Sequence, residues 1–333
     1  MRAVLAVILV VGVGWSAIWF FGARAVDRNL TAWLDQRHSA GWMANYSEVR
    51  TRGYPNRFDT TLSDIELADP GTGLAWTAPF FQIFRLSYQP RHAIVVWPET
   101  QTIATPDQRI EIESTSARGS FVFQQGDLWP LESATTVFEG LRLTSTADWT
   151  AEIETMRLAT RPSERVEGAI DVGFEAQAFS PASAAIQQLS DMGIVPRTLE
   201  RLRVDASLTF DAPWDRRAIE VGRPVLEAIE LHRAEAIWGE LELWAAGRVT
   251  LDGQGRASGE VTLKFKNWRE MLELAKTTGW IGDRLIGPIE RAFEVLSGLA
   301  GSSKTLDVPL TLRDGRATFG PIPIGTLPEV RLR

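Results

Sequence analysis

Residues 3–23 run without a charged side chain between Arg2 and Arg24. At 1.5 Å rise per residue, about 21 helical residues make a rod of about 30 Å, the thickness of a bilayer's hydrocarbon core. The sequence therefore predicts a transmembrane helix carrying the remainder of the 333 residues as one water-facing cargo. A cleaved secretory signal has a similar outline, and the small residues Ala23 and Ala25 suit a cleavage site. Two features favour a retained anchor. The run exceeds the roughly 7 to 15 apolar residues of a signal, and Trp15, Trp19, Phe20 and Phe21 crowd its far end like an interfacial aromatic belt. Helical spacing also continues through Val26, Leu30, Trp33 and Leu34, with Asp27, Arg28 and Asp35 between them, so residues 1–40 read as an anchor prolonged into an amphipathic stalk.

Composition narrows what the cargo, residues 41–333, does. Hydrophobic residues at 44% with a mean hydropathy of -0.08 describe a globular domain, and no second apolar run is long enough to span a membrane. The absence of cysteine removes disulfides, thiolate catalysis and cysteine metal sites together, and is compatible with export. A net charge of -7, with basic residues scattered among acidic neighbours, offers no footprint for nucleic acid.

From residue 41 onward the pattern becomes short alternating or β-branched segments punctuated by Gly, Pro and Asp. Strands are predicted at 57–67, 92–97, 109–114, 120–124, 136–144, 150–159 and 166–176, with clean alternation in Ile110/Ile112, Val137/Leu141/Leu143 and Ile170/Val172/Phe174. Such alternation belongs to antiparallel sheet with one apolar face. A short helix is expected over 181–191, opened by Ser180 and Pro181, and another over 223–229. Strand 203–210 lies between them. Residues 236–251 and 255–265 read as two long strands joined by Asp252-Gly253-Gln254-Gly255, whose glycines supply positive φ. Asn267 is expected to cap a helix ended by Gly279, and a helix over 282–299 to be begun or interrupted at Pro288. Strands at 305–312 and 316–319 and an extended Pro/Gly-rich tail complete the chain. The fold class is α+β and β-rich, a long bent antiparallel sheet with a few helices near one end and a subdivision near 177–200.

Chemistry is sparse. His38, His92 and His232 belong to no metal-binding spacing, and neither a nucleophile elbow nor a phosphate-binding loop is present. Glu111/Glu113, Glu152/Glu154 and Glu240/Glu242 lie at period two, which on a strand places each pair on one solvated face. No catalytic, cofactor-binding or metal-ligating residue is assigned. The aromatic content says more, because tryptophan, 13 against 3 tyrosines, favours sites with one apolar and one wet end. Trp76, Phe80, Phe81 and Ile83, with Trp97, Trp238 and Trp244, have two readings: ordinary core, or the lining of an apolar groove for acyl chains. Gly53-Tyr54-Pro55 reads as a turn, Gly53 permitting a bend and Pro55 holding Tyr54 extended.

The stretch 49–58, containing Arg52-Gly53-Tyr54-Pro55-Asn56-Arg57, followed by Ile65, Leu67 and Asp69-Pro70, resembles the opening of an uncharacterised bacterial family of envelope proteins, a domain of unknown function. Matching features are the strand, glycine turn and strand over 247–259 before the Asn267 helix, and Asp314-Gly315 leading to Gly320-Pro321-Ile322-Pro323-Ile324-Gly325. The layout is similar in outline to the AsmA-like envelope proteins, a likeness that implies lipid traffic between bacterial membranes. The expectation is a single-pass inner-membrane protein with a periplasmic domain, noncatalytic, holding or passing lipid along an apolar groove. The alternatives are a scaffold binding another envelope protein through sheet edges and exposed tryptophans, and an enzyme with a site assembled from dispersed Asp, Glu and Arg.

Overall fold

A computed structural model describes residues 1–333 except 183, 194, 221, 280, 301–303, 321 and 331–333. The chain forms two units, Met1–Gln125 with Ala134–Ala147, and Gly126–Ser133 with Asp148–Arg333, so residues 177–200 lie inside the second. Every strand pairing described below is antiparallel.

The first unit opens with α1 (Arg2–Ser39), one continuous helix that ends where the sequence turns at Gly41. Its strands are β1 (Met43–Asn45), β2 (Glu48–Arg52), β3 (Arg57–Asp69), β4 (Leu74–Leu86), β5 (Gln89–Val96), β6 (Thr100–Ala104), β7 (Arg109–Glu113), β8 (Ser116–Phe123) and most of β9 (Leu131–Ser145). β3 is the hub, pairing β1 and β2 along one edge and β4 along the other. β4 in turn divides its free edge between β5 and β6. Leu62 and Ile65 on β3, and Trp76 and Phe81 on β4, belong to one apolar cluster although their spacings of three and five would place them on opposite faces of a regular strand. Asp64, at φ 50°, resets the alternation. That change of parity lets β3 keep apolar side chains under α1 along its whole length.

The second unit is a meander in which each strand pairs with the next: β10 (Thr150–Pro162), β11 (Ala169–Ala182), β12 (Leu199–Phe210), β13 (Leu226–Trp238), β14 (Leu241–Leu251), β15 (Ala257–Lys266), β16 (Thr305–Arg313), β17 (Arg316–Phe319) and β18 (Ile322–Thr326). Helices occupy the connections: α2 (Ala184–Asp191), α3 (Arg217–Glu220), α4 (Trp268–Thr277) and α5 (Asp283–Ala300). Two cores result. Trp268, Leu272, Ile289 and Phe293 of α4 and α5 pack on Leu306, Val308 and Phe319, whereas Ile186 and Leu189 of α2 pack on Leu199, Trp238, Leu241 and Leu274. Each such fully buried leucine or isoleucine stabilises the fold by about 1.5–3 kcal/mol.

Several sequence expectations are corrected. The helix expected over 223–229 is absent; from Leu226 the chain is β13, because pairing with β12 overrides a short pattern that is equally compatible with either state. The strand expected over 236–251 is broken at Gly239, φ 60°, so that Trp238 and Leu241 pair across a tight turn. Ser180 and Pro181 remain in β11 opposite Glu152 and Ala151, so the helix starts only at Ala184. Asn267 precedes α4 at φ 56° without capping it; its amide donates instead to the Glu240 carbonyl at 2.7 Å. Pro288 lies within α5 and neither begins nor interrupts it. Of the turn glycines between β14 and β15 only Gly255 has positive φ, 78°. Within the tail, β18 is an added strand, and residue 321 lies outside the described residues.

Gly259, φ 150°, sits opposite Val249 so closely that a Cβ would lie 2.1 Å from the Arg248 carbonyl oxygen, whereas a Cβ at Gly253 meets nothing within 4 Å. Gly259→Ala should therefore destabilise the second unit by about 1–3 kcal/mol, while Gly253→Ala leaves stability near that of the parent chain. Urea unfolding of the detergent-solubilised chain, followed by tryptophan fluorescence, checks this; equal midpoints for the two variants would contradict it.

Candidate functional site

The first unit contains the most built feature of the molecule, the seat of α1 on the sheet. Residues 2–14 of α1 are exposed throughout, but from Trp15 onward one side of the helix is covered. The 53–56 turn between β2 and β3 meets it first. Trp15 donates its indole N–H to the Pro55 carbonyl at 2.8 Å, Trp19 donates its own to the Arg57 carbonyl at 2.8 Å, and the Ser16 hydroxyl lies 2.8 Å from the Tyr54 hydroxyl. The rings reinforce this contact: Tyr54 stacks on Phe20 at 5.7 Å and meets Trp19 edge-on at 5.5 Å, and Phe58 stacks on Trp19 at 5.9 Å. Gly22 is where Phe58 crosses the helix, with a Cβ there only 3.0 Å from the ring.

Further along, the Thr51 hydroxyl donates to the Asp27 carboxylate at 2.5 Å, and Leu34, 1% exposed, enters the cluster of Leu62 and Ile65 with Leu30 and Trp33 beside it. The periodicity read as a stalk is thus the helix face that covers β3. The expected Gly53-Tyr54-Pro55 turn is present, with a cis Tyr54–Pro55 bond and Gly53 at φ 102°. Nothing local in the sequence indicated that it binds the helix; the only signal was the placement of Trp15 and Trp19 at four-residue spacing, which puts both on one face.

Four of the seven aromatic and aliphatic groove candidates come from β4, and the strand distributes them over two faces. Trp76 and Phe81 join the cluster under α1, their rings 5.7 Å apart, and Ile83 shares their face opposite the buried Thr60 and Val95. Phe80 pairs with Ser63 on the other face. Trp97 continues the first face, 5.7 Å from Phe81 and 5.8 Å from Phe138. The result is a half-buried aromatic track, Trp76 to Phe81 to Trp97 to Phe138, that begins beside Leu34. In the second unit Trp238 is 5% exposed within a packed core and donates to the Pro196 carbonyl at 2.7 Å, and half-buried Trp244 lies under the Lys264 ammonium at 6.0 Å.

Sequence reasoning missed a polar cluster in the second unit. Ser207, 1% exposed, lies 2.6 Å from Asp171 and 2.7 Å from the His232 Nε2, while Arg165 approaches Asp171 and Asp205 at 3.8 and 3.2 Å and Arg161 approaches Asp171 at 3.8 Å. Cross-strand register brings these together: Asp171 faces Arg161 on one side and Ser207 on the other. In a hydrolytic triad the histidine stands between hydroxyl and carboxylate; here the buried hydroxyl stands between the other two and ties three neighbouring strands together. Elsewhere in this unit Arg256, Arg313, Arg316 and Asp314 line a cavity of about 680 Å³. Among the described residues no group of three or more His, Asp or Glu is placed to hold a metal.

Burial is the largest influence on Asp171 and pushes its carboxyl upward, but hydrogen bonds from Ser163 and Ser207, with Arg165 and Arg161, together hold it below the usual carboxylate range. A folded-state pKa below the unfolded value of about 3.9 means stabilisation that is complete above that value and is lost as pH falls through the depressed one. Ser207→Ala removes one of the groups holding the pKa down. It should move the acid-unfolding midpoint of the chain to higher pH, read by tryptophan fluorescence; an unchanged midpoint would contradict the assignment.

No curated protein and no solved structure matches the chain. A family model described as an uncharacterised protein conserved in bacteria, DUF2125, matches residues 19–328. That span runs from Trp19, at the contact between helix and turn, to just beyond the last strand, so the likeness embraces both units. The chain belongs to this bacterial DUF2125 family.

Proposed function

We propose that this protein is a single-pass inner-membrane protein whose β-rich body lies on the periplasmic side and which holds lipid acyl chains along the aromatic track without catalysing a reaction. One observation carries the reading. The face of the first unit's sheet that receives α1 is the face that bears Trp76, Phe81 and Trp97, so apolar surface continues from a membrane helix onto the sheet. An acyl chain needs continuous apolar area and few polar contacts, and half-buried rings in steps of 5.7 to 5.8 Å supply that. α1 has the character required of an anchor, with a mean hydropathy of 2.4 over its most apolar 18 residues. Retention of the helix is supported by its contacts: cleavage near Ala23 or Ala25 would strip the indole donors from Pro55 and Arg57.

The full chain is the appropriate test object, since removal of residues 1–40 would uncover Leu62 and Ile65. Reconstituted with phospholipid bearing a photoactivatable acyl chain, it should cross-link in peptides containing Phe81, Trp97 and Phe138, and Trp97→Glu should reduce that labelling several-fold. Labelling confined to the first 24 residues would overturn the lipid-holding reading and favour the protein-scaffold alternative.

A further inference from the structure

We infer that the end of the first unit's sheet formed by the 53–56 and 87–88 turns is inserted into the headgroup and upper acyl region of the phospholipid bilayer that α1 crosses. The inference rests on α1 being a membrane span and is independent of whether the aromatic track holds lipid.

The first argument is length. The part of α1 free of protein contact, residues 2–14, is about 20 Å long at 1.5 Å per residue, against a hydrocarbon core of about 30 Å. The uncharged run continues to Ala23, so the remaining length is supplied by the portion of α1 to which the 53–56 turn is bonded through Trp15, Ser16 and Trp19. The turn therefore enters the membrane with the helix.

The second argument is polar satisfaction, since backbone groups in lipid must find partners within the protein. Of the five carbonyls of residues 53–57, four have partners among the described residues, Tyr54's being the exception: that of Gly53 accepts from the Arg57 N–H at 2.9 Å, that of Pro55 from Trp15, that of Asn56 from the Ser87 N–H at 2.9 Å and that of Arg57 from Trp19. Two of the four are satisfied by indoles projecting from the apolar run itself.

The third argument is composition. The bond from Ser87 to Asn56 places the β4–β5 turn beside the β2–β3 turn. Tyr54 and Tyr88, two of the 3 tyrosines in the chain, occupy these neighbouring tips and are 52% and 62% exposed. Tyrosine concentrates at membrane interfaces, where an apolar ring and a polar hydroxyl each find their medium. Of the arginines near these tips, Arg50 is paired with Glu48 at 3.7 Å and Arg57 with Asp59 at 3.1 Å, while Arg52 and Arg91 are exposed beside the two turns. Long arginine side chains next to an inserted tip reach lipid phosphates while their stems stay along apolar surface.

The chain's lack of cysteine permits a direct test. Single cysteines at Tyr54, Tyr88, Val10 and Asp107 are labelled with an environment-sensitive fluorophore in the full chain. The labelled chains are reconstituted in vesicles of phosphatidylethanolamine and phosphatidylglycerol, with and without spin-labelled acyl chains. Asp107 is in the turn between β6 and β7, away from the inserted end. The expected result is emission at positions 54 and 88 that is blue-shifted and at least halved by the spin label, as at position 10, with position 107 unaffected. Quenching at position 10 but not at 54 or 88 would overturn the inference and leave the anchor standing. Absence of quenching at position 10 would remove the anchor and the inference together. Position 88 serves if Tyr54→Cys fails to fold.

Discussion

The first unit depends on a helix that has two environments along one continuous length. For residues 2–14 α1 has no protein partner, and from Trp15 onward its small, aromatic and branched residues face β3. The junction is secured by two indole N–H groups aimed at backbone carbonyls of a turn, bonds that strengthen as water is excluded from around them. Because they join the helix to residues 55 and 57, they fix which residues of β3 lie under which residues of α1, and Leu34 reaches the space between Leu62 and Ile65 as a consequence. β3 has to present apolar side chains along its full length to use that helix face. Asp64 makes this compatible with strand geometry by changing the alternation midway.

Much of the architecture was legible in the sequence, and the failures have identifiable causes. The apolar run, the β14–β15 hairpin across Asp252 to Gly255 and the α4 segment all carry strong local signals, period or turn chemistry, that tertiary context did not oppose. β4 escaped assignment because Trp76, Phe81, Phe80 and Phe84 cover both of its faces, and such a run has no alternation to read. The segment at Leu226 was misassigned because seven residues cannot distinguish a short helix from a buried strand. Asn267 has the residue type of a cap but the left-handed conformation of a turn, so its identity was informative about the boundary and misleading about the bond.

The candidate site was legible in its parts but not in its assembly. Tyr54 and Pro55 stood out as a turn, and Trp15 and Trp19 as a belt; that the two meet is a long-range fact, separated by 38 to 40 positions in the chain. The aromatic residues divided in the same way. Trp76, Phe81 and Trp97 came together, Phe80 turned to the opposite face, and Trp238 closed a core of the second unit. The buried polar cluster at Asp171 and Ser207 had no sequence signature, since cross-strand neighbours are set by register and register is not a local property.

The central claim is that α1 lies on β3 while remaining the membrane anchor, and a distance across that contact measured in the bilayer tests it most directly. In a chain with no other thiols, cysteines replacing Asp27 and Thr51, whose side chains now meet at 2.5 Å, are treated in intact membranes with a short thiol-to-thiol cross-linker. The account predicts an intramolecular link in most of the protein, formed with the helix still embedded. Cross-linking no greater than that between positions 27 and 107 would mean that the helix stands apart from the sheet, and the account would be wrong.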